Sequence, residues 1–179
     1  MRILLVSFAL LLAACSEDQF VQAPQVEVTE RVRTSFSSIE VREVSLPSYA
    51  SGEEIAVSSG GAIIFSEALW ADDPTRAVTL ALARNLKEIT GARVASEPWP
   101  FDSFPAARVD VRVEEFTISD GVVRLAGQYF VADQEGRGRD HAHLFDLSRP
   151  VAGASAAAAG AGRSALIADL AREIARDAL

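Results

Sequence analysis

The stretch from Val109 to Val131 leaves this chain the least conformational choice. Val109, Val111 and Val113 alternate with Asp110, Arg112 and Glu114, the period of two expected of a strand with one buried face and one wet face. The apolar positions then change phase, because Phe116 and Ile118 fall on even numbers. A β-bulge near Glu114-Glu115 returns both to the core side. Asp120-Gly121 is a tight-hairpin signal, and Val123, Leu125, Tyr129 and Val131 carry the pattern back along a partner strand, with Gly127 among them. A second turn over residues 134–139, which hold two glycines, leads to a third strand over about 141–147. The three strands form an antiparallel meander.

Two other stretches carry the helical period. Asp72 or Asp73 suits an N-cap and Pro74 the first helical position, where its missing N–H costs nothing. Val78, Leu82, Leu86 and Ile89, with Ala77 and Ala81 beside them, then form one apolar stripe, and Gly91 is placed to end the helix. The spacing predicts a second helix over about 154–179, with Leu166, Ile167, Leu170, Ala171, Ile174 and Ala178 on its buried face. Gly160 and Gly162 weaken its first half by about 1 kcal/mol each relative to alanine. Upstream, Ile39 and Val41, continued by Val44 and Leu46, read as a strand that Pro47 stops. Residues 55–58 and 62–65 read as short strands about Gly60-Gly61, and residues 94–105, with three prolines, as an ordered loop or lid. The expected fold is α/β: a single domain in which a mixed, largely antiparallel sheet is packed by two amphipathic helices.

The amino end follows different rules. Arg2, an apolar run interrupted only by Ser7, and then Leu12-Ala13-Ala14-Cys15 give the charged, apolar, small-residue order of a secretion signal. The run is roughly half the length of about 20 residues that a membrane-spanning helix needs. Leu12-Ala13-Ala14-Cys15 resembles the bacterial lipobox, in which cutting occurs just before a cysteine that becomes lipidated. Cys15 is the only cysteine, so its lipidation would leave no thiol for a disulfide. The expected organisation is a signal over 1–14, lipidated Cys15 with a flexible tether over 15–36, and a folded domain over 37–179. The bilayer would then be reached through the covalent lipid. Removing the signal takes the formal net charge from -8 to -9 with the loss of Arg2, which argues against nucleic acid as a partner.

No constellation points to catalysis. His141 and His143 are the only histidines and share a face by strand alternation, but a metal site needs further ligands and no second cysteine or aligned carboxylate set supplies them. Asp72-Asp73 reads as a cap, Glu114-Glu115 as a bulge on a wet strand. The glycine pairs lack phosphate-loop spacing, and no Gly-x-Ser-x-Gly elbow occurs. The expectation is therefore no enzyme, no metal and no cofactor apart from the lipid. What stands out is aromatic: Trp70, and Trp99, Phe101 and Phe104 in the proline-rich loop. Each can plug the core or anchor a partner, and these four are the candidate partner-contact residues.

The order of motifs resembles the ABC-type transport auxiliary lipoprotein family, which includes the PqiC-like lipoproteins. The resemblance lies in a lipobox, then Ile39-Glu40-Val41-Arg42-Glu43-Val44-Ser45-Leu46-Pro47-Ser48-Tyr49, then Leu69-Trp70-Ala71 leading into a helix with Arg84-Asn85-Leu86, and a late helix with Glu173-Ile174-Ala175. It extends from about Ile39 to the end. The family's first strand, soon after the lipidated cysteine, has only Phe20-Val21 or Phe36 to stand in for it here. The resemblance implies an accessory role beside an ABC ATPase, a permease and an MCE-domain protein that move lipids across the envelope, the lipoprotein docking the MCE component, as a ring-like homo-oligomer. Ser16 after the cysteine, by resemblance to the enterobacterial sorting rule, implies the inner leaflet of the outer membrane. An outer-membrane assembly or chaperone lipoprotein and a periplasmic lipid carrier are the alternatives.

Overall fold

A computed structural model describes residues 19–137, 140–152 and 155–179; the signal and Cys15 lie outside the described residues. Among the described residues eight strands and two helices follow one another as β1 (Gln19–Val21), β2 (Ser38–Val41), β3 (Glu54–Ser59), β4 (Ala62–Trp70), α1 (Pro74–Thr90), β5 (Arg93–Ser96), β6 (Ala107–Ser119), β7 (Val122–Asp133), β8 (His141–Pro150) and α2 (Ala156–Asp177). They make a five-stranded sheet in the order β5-β2-β6-β7-β8 and a three-stranded sheet in the order β1-β4-β3. In the larger sheet β2 runs parallel to β5 and β6, and β6, β7 and β8 are antiparallel. The expected mixed α/β domain with two packing helices is what forms.

The phase change in β6 is absorbed where the residues require it. Val113 pairs with Gly127 and Glu115 with Ala126, leaving Glu114 as the extra residue. Val109, Val111, Val113 and Phe116 are all buried as a result. A Cβ on Gly127 would overlap the Arg112 carbonyl oxygen and lie 2.9 Å from Val113 Cα, so the bulge requires glycine opposite it. The β6–β7 turn holds Asp120 and Gly121 both at positive φ, 49° and 74°, the backbone of a type I′ turn.

The Ser45-to-Tyr49 motif serves this bulge. Val113 N–H donates to the Ser45 carbonyl at 2.8 Å, and Phe116 N–H donates to the Tyr49 hydroxyl at 3.2 Å. Strand β2 nevertheless ends at Val41, earlier than its apolar pattern suggests. Arg42 N–H still donates to the Val109 carbonyl at 2.9 Å, Val44 N–H then turns to Thr79 Oγ1 of α1 at 2.9 Å, and the β6 ladder is met again at Ser45.

Asp73 caps α1 by accepting from Arg76 N–H at 2.7 Å, and Gly91 closes it at φ 68°. Both helices lie on the larger sheet, where Leu82, Leu86 and Ile89 of α1 and Leu166, Leu170 and Ile174 of α2 join Ile39, Val111 and Leu125 in one core. The glycines of α2 do not break it. A Cβ at 160 would sit 3.2 Å from Val21 Cγ1, and one at 162 would sit 2.6 Å from Val123 Cγ2. Their lack of side chains lets α2 approach β1 and the sheet, and tertiary packing overrides their poor propensity.

Two sequence expectations are corrected. Residues 19–36, expected as part of a flexible tether, are fastened to the domain. β1 pairs with β4, Val28 and Phe36 are buried, Val32 N–H donates to the Ile89 carbonyl, and Ser35 N–H donates to the Leu179 carbonyl. An extended segment laid along helices buries a residue only here and there, so it shows no period to read. The second concerns residues 94–105. Their first residues extend β5, an edge strand paired with β2, and the loop begins only after Ser96, where Pro98 stops the strand.

Candidate functional site

The domain has two distinguishable ends, and the chain's path assigns residues to each. Strand β6, thirteen residues long, spans about 40 Å between them. At one end β1 pairs with the last residues of β4, Phe20 with Leu69 and Val21 with Trp70, next to the start of α2 at Ala159. From there the chain runs along the helices to the other end, where Glu30 meets Arg176 at 2.6 Å and Thr34 Oγ1 donates to the terminal Leu179 carbonyl at 2.8 Å. That far end also gathers Ser37, Ala106 and Gln134 around Phe104.

The four aromatic candidates separate on this frame. Trp70 is in the core, 5% exposed, packed with Val21, Ile55, Ala68 and Ala159, so its expected place on a contact surface is corrected. The buried Arg163 guanidinium stacks on its ring at 3.9 Å, and burial lowers the Arg163 pKa to about 10 against the attraction of Asp72. A cleft of about 230 Å³ lined by Val21, Pro24, Ala81, Arg84 and Arg163 opens beside it. It is smaller than the pockets of about 300 to 1,000 Å³ that usually hold drug-sized ligands. Trp99 is half-buried, because its indole N–H donates to the Ser103 carbonyl at 2.6 Å and its ring meets Phe101 edge-on, centroids 4.9 Å apart. Phe101, under the Arg93 guanidinium, is 43% exposed and Phe104 is 90% exposed. Trp99 therefore shapes the loop, and Phe101 and Phe104 are the aromatics it presents.

His141 and His143 do share a face, as the alternation requires. Their rings stack on each other with centroids 5.9 Å apart, and His143 stacks on the buried Tyr129 at 5.2 Å. Tyr129 is held protonated chiefly by burial, with Glu173 and Asp177 adding to the effect. Burial and Asp177 also raise the pKa of Glu173, which His143 partly opposes. Among the described residues no group of three or more His, Cys, Asp or Glu is placed to hold a metal ion, and no helix is long and apolar enough to cross a membrane.

The hairpin expected about Gly60-Gly61 forms as β3–β4, but its apolar tip is exposed, which the sequence does not show. Ile63, Ile64 and Phe65 are 37%, 51% and 51% exposed, and Phe20 on neighbouring β1 is 63% exposed. A run of consecutive apolar residues is the usual mark of a buried strand, so only the tertiary arrangement reveals these as surface.

A mixed α/β domain with an aromatic loop at the end away from β1 is what fold and site define. The family model for the ABC-type transport auxiliary lipoprotein component matches residues 19–175, and the chain belongs to that family. Membership makes it a lipoprotein component of an ABC-type transport system, associated with a membrane of the cell envelope. The fold is also similar to two crystal structures. One is of an uncharacterized protein, at 20% identity and TM-score 0.72, covering 90% of this chain and 99% of that one. The other is of a Xanthomonas campestris protein of the DUF330 family, at 17% identity and TM-score 0.71, covering 87% of this chain and 91% of that one. No match is found among curated proteins.

Proposed function

We propose that this lipoprotein is anchored through acylated Cys15 to the inner leaflet of the outer membrane and docks the MCE-domain component of an envelope lipid transporter. In this reading it catalyses nothing and acts by position. Two acyl chains or more on one cysteine exceed the single-chain case that gives only marginal membrane binding. The observation that carries the reading is the opposition of the two ends. The chain leaves the domain toward Cys15 at β1, and Phe101 and Phe104 are exposed on the loop leading to the far end. A domain held by its first strand thus offers its aromatic loop to the periplasm, where exposed aromatics suit a partner's apolar pockets.

Because residues 19–36 are bound to the domain, the link to the membrane is short. Only four residue steps separate Gln19 from Cys15, a reach of about 14 Å fully extended. A partner seated on the far end would therefore stand at a fixed height above the leaflet. A ring-like homo-oligomer of such domains would present several aromatic loops to one MCE assembly. The test is a photo-crosslinking phenylalanine analogue at position 104 in cells. A covalent adduct with the MCE-domain protein supports the docking, and adducts with a β-barrel instead would favour the assembly-lipoprotein alternative. The native mass of the acylated chain decides the oligomer.

A further inference from the structure

The exposed hairpin lies on the side of the domain from which the anchor departs. Gly60 and Gly61, at φ 58° and 81°, fold its tip tightly, and no charged residue occurs between Glu54 and Glu67. Ala62 to Phe65 pair in register with Ser59 to Ala56. By strand alternation Ile63 and Phe65 therefore point to one side and Ile64 to the other. Apolar side chains are therefore exposed on both sides of the tip, beside the uncharged Ser58 and Ser59. A docked protein or a second copy covers one side of such a ribbon, whereas the boundary between lipid headgroups and acyl chains surrounds it.

The direction of β1 supplies the second argument. It runs parallel to β4, with Gln19 beside Ala68 and Phe20 beside Leu69, so β1 followed backward from Val21 to Gln19 points toward the Gly60-Gly61 end of β4. Cys15 is four residues further back, within about 14 Å of Gln19.

We infer that the β3–β4 hairpin is a second, non-covalent membrane contact, in which Ile63, Ile64 and Phe65 enter the headgroup–acyl boundary beside the lipid carried by Cys15. This inference rests on the acylation proposed above. Alone the tip is too small to hold a protein of this charge on a bilayer. Once the anchor has fixed the domain to the leaflet, the second contact becomes intramolecular, and a weak apolar tip suffices. Glu53, Glu54 and Glu67 at the hairpin's base limit its depth, since their carboxylates stay in water. Two contacts orient a body that one flexible anchor would leave free to tumble, and so aim the far end into the periplasm. Leu80, Phe101, Phe104, Val122 and Leu144 are exposed as well, but they are single side chains on other elements rather than a run on one hairpin.

The test uses the full acylated chain in vesicles of three parts phosphatidylethanolamine to one part phosphatidylglycerol. Cys15 is the only native cysteine and its sulfur is consumed by the lipid, so Ile64→Cys adds one reactive thiol for a polarity-sensitive dye. Leu144→Cys on β8 is the matched exposed control. The expected result is blue-shifted emission at position 64 that nitroxides on shallow acyl positions quench about twofold or more, with position 144 water-like and unquenched. A water-like, unquenched tip on an acylated chain overturns the hairpin contact and leaves the anchor standing. A blue shift without nitroxide quenching means that protein covers the tip, and also overturns it. The mass of the amino-terminal peptide reports the anchor separately. A missing acyl mass overturns the anchor, and with it the hairpin's role as its companion.

Discussion

Replacing Gly127 by alanine tests the geometry of the central hairpin with one methyl group. The added Cβ would overlap the Arg112 carbonyl oxygen and approach Val113 Cα to 2.9 Å. Both are backbone atoms on the paired strand β6, held there by the ladder and by the Ser45 and Tyr49 hydrogen bonds at the bulge. A side chain could rotate away; this backbone can yield only by opening the bulge. Overpacking of this kind costs about 1 to 3 kcal/mol, and the upper end applies because no side-chain movement relieves it. Alanine's restriction of the unfolded chain returns about 0.4 to 1 kcal/mol. The net loss is about 2 kcal/mol, or roughly 4 to 8 °C in Tm for a domain of this size. Thermal unfolding followed by far-ultraviolet circular dichroism reads it directly. Gly91→Ala is the comparison, since its Cβ meets nothing within 4 Å and only the φ of 68° is strained, at about 1 kcal/mol. A Gly127→Ala protein that melts within a degree of the parent would refute the close approach and the bulge register with it.

Thr79→Val should cost about 1 to 3 kcal/mol, measured by urea unfolding, because the fully buried Val44 N–H loses its acceptor. An unchanged unfolding midpoint would show that Val44 finds another partner. Glu173→Gln should raise Tm at neutral pH. The folded-state pKa of Glu173 lies above its ordinary 4.5, so its contribution to stability is fully present below 4.5 and is lost as pH rises through the folded value. The advantage of the glutamine should vanish in melts below pH 4.5, and an advantage that grows on acidification would contradict the reasoning. Phe104→Ala should leave Tm within about 0.5 kcal/mol of stability of the parent, as for other exposed sites, while lowering recovery of the MCE-domain protein in co-purification.

Legibility of the fold followed the repetition of its pattern. The β6–β7 hairpin announced itself through three alternating valines, a phase change and Asp120-Gly121, and α1 through Asp73, Pro74 and Gly91, since each residue has one physical use at its position. Residues 22–36 gave no such signal. Their hold on the domain comes from Val28 and Phe36 dropping into the core and from backbone bonds to Ile89 and Leu179, partners distant in the chain. Strand β5 was hidden by the prolines that follow it. In the candidate site, Phe101 and Phe104 are exposed as a contact surface requires, but Trp70 is buried. Composition around a tryptophan does not reveal whether Arg163, ninety-three positions later, will cover its ring. The exposed Ile63-Ile64-Phe65 tip was concealed for the opposite reason, because an apolar run on a two-stranded ribbon reads the same whether or not anything is packed on it.

Membrane attachment through a single residue is the claim that bears the most weight, and fractionating the envelope of cells making the parent or the Cys15→Ser chain measures it. The account predicts the parent in the outer-membrane fraction, releasable only by detergent, with the serine variant folded but soluble in the periplasm and unable to support transport. A serine variant that sediments with the outer membrane and supports transport like the parent would contradict it.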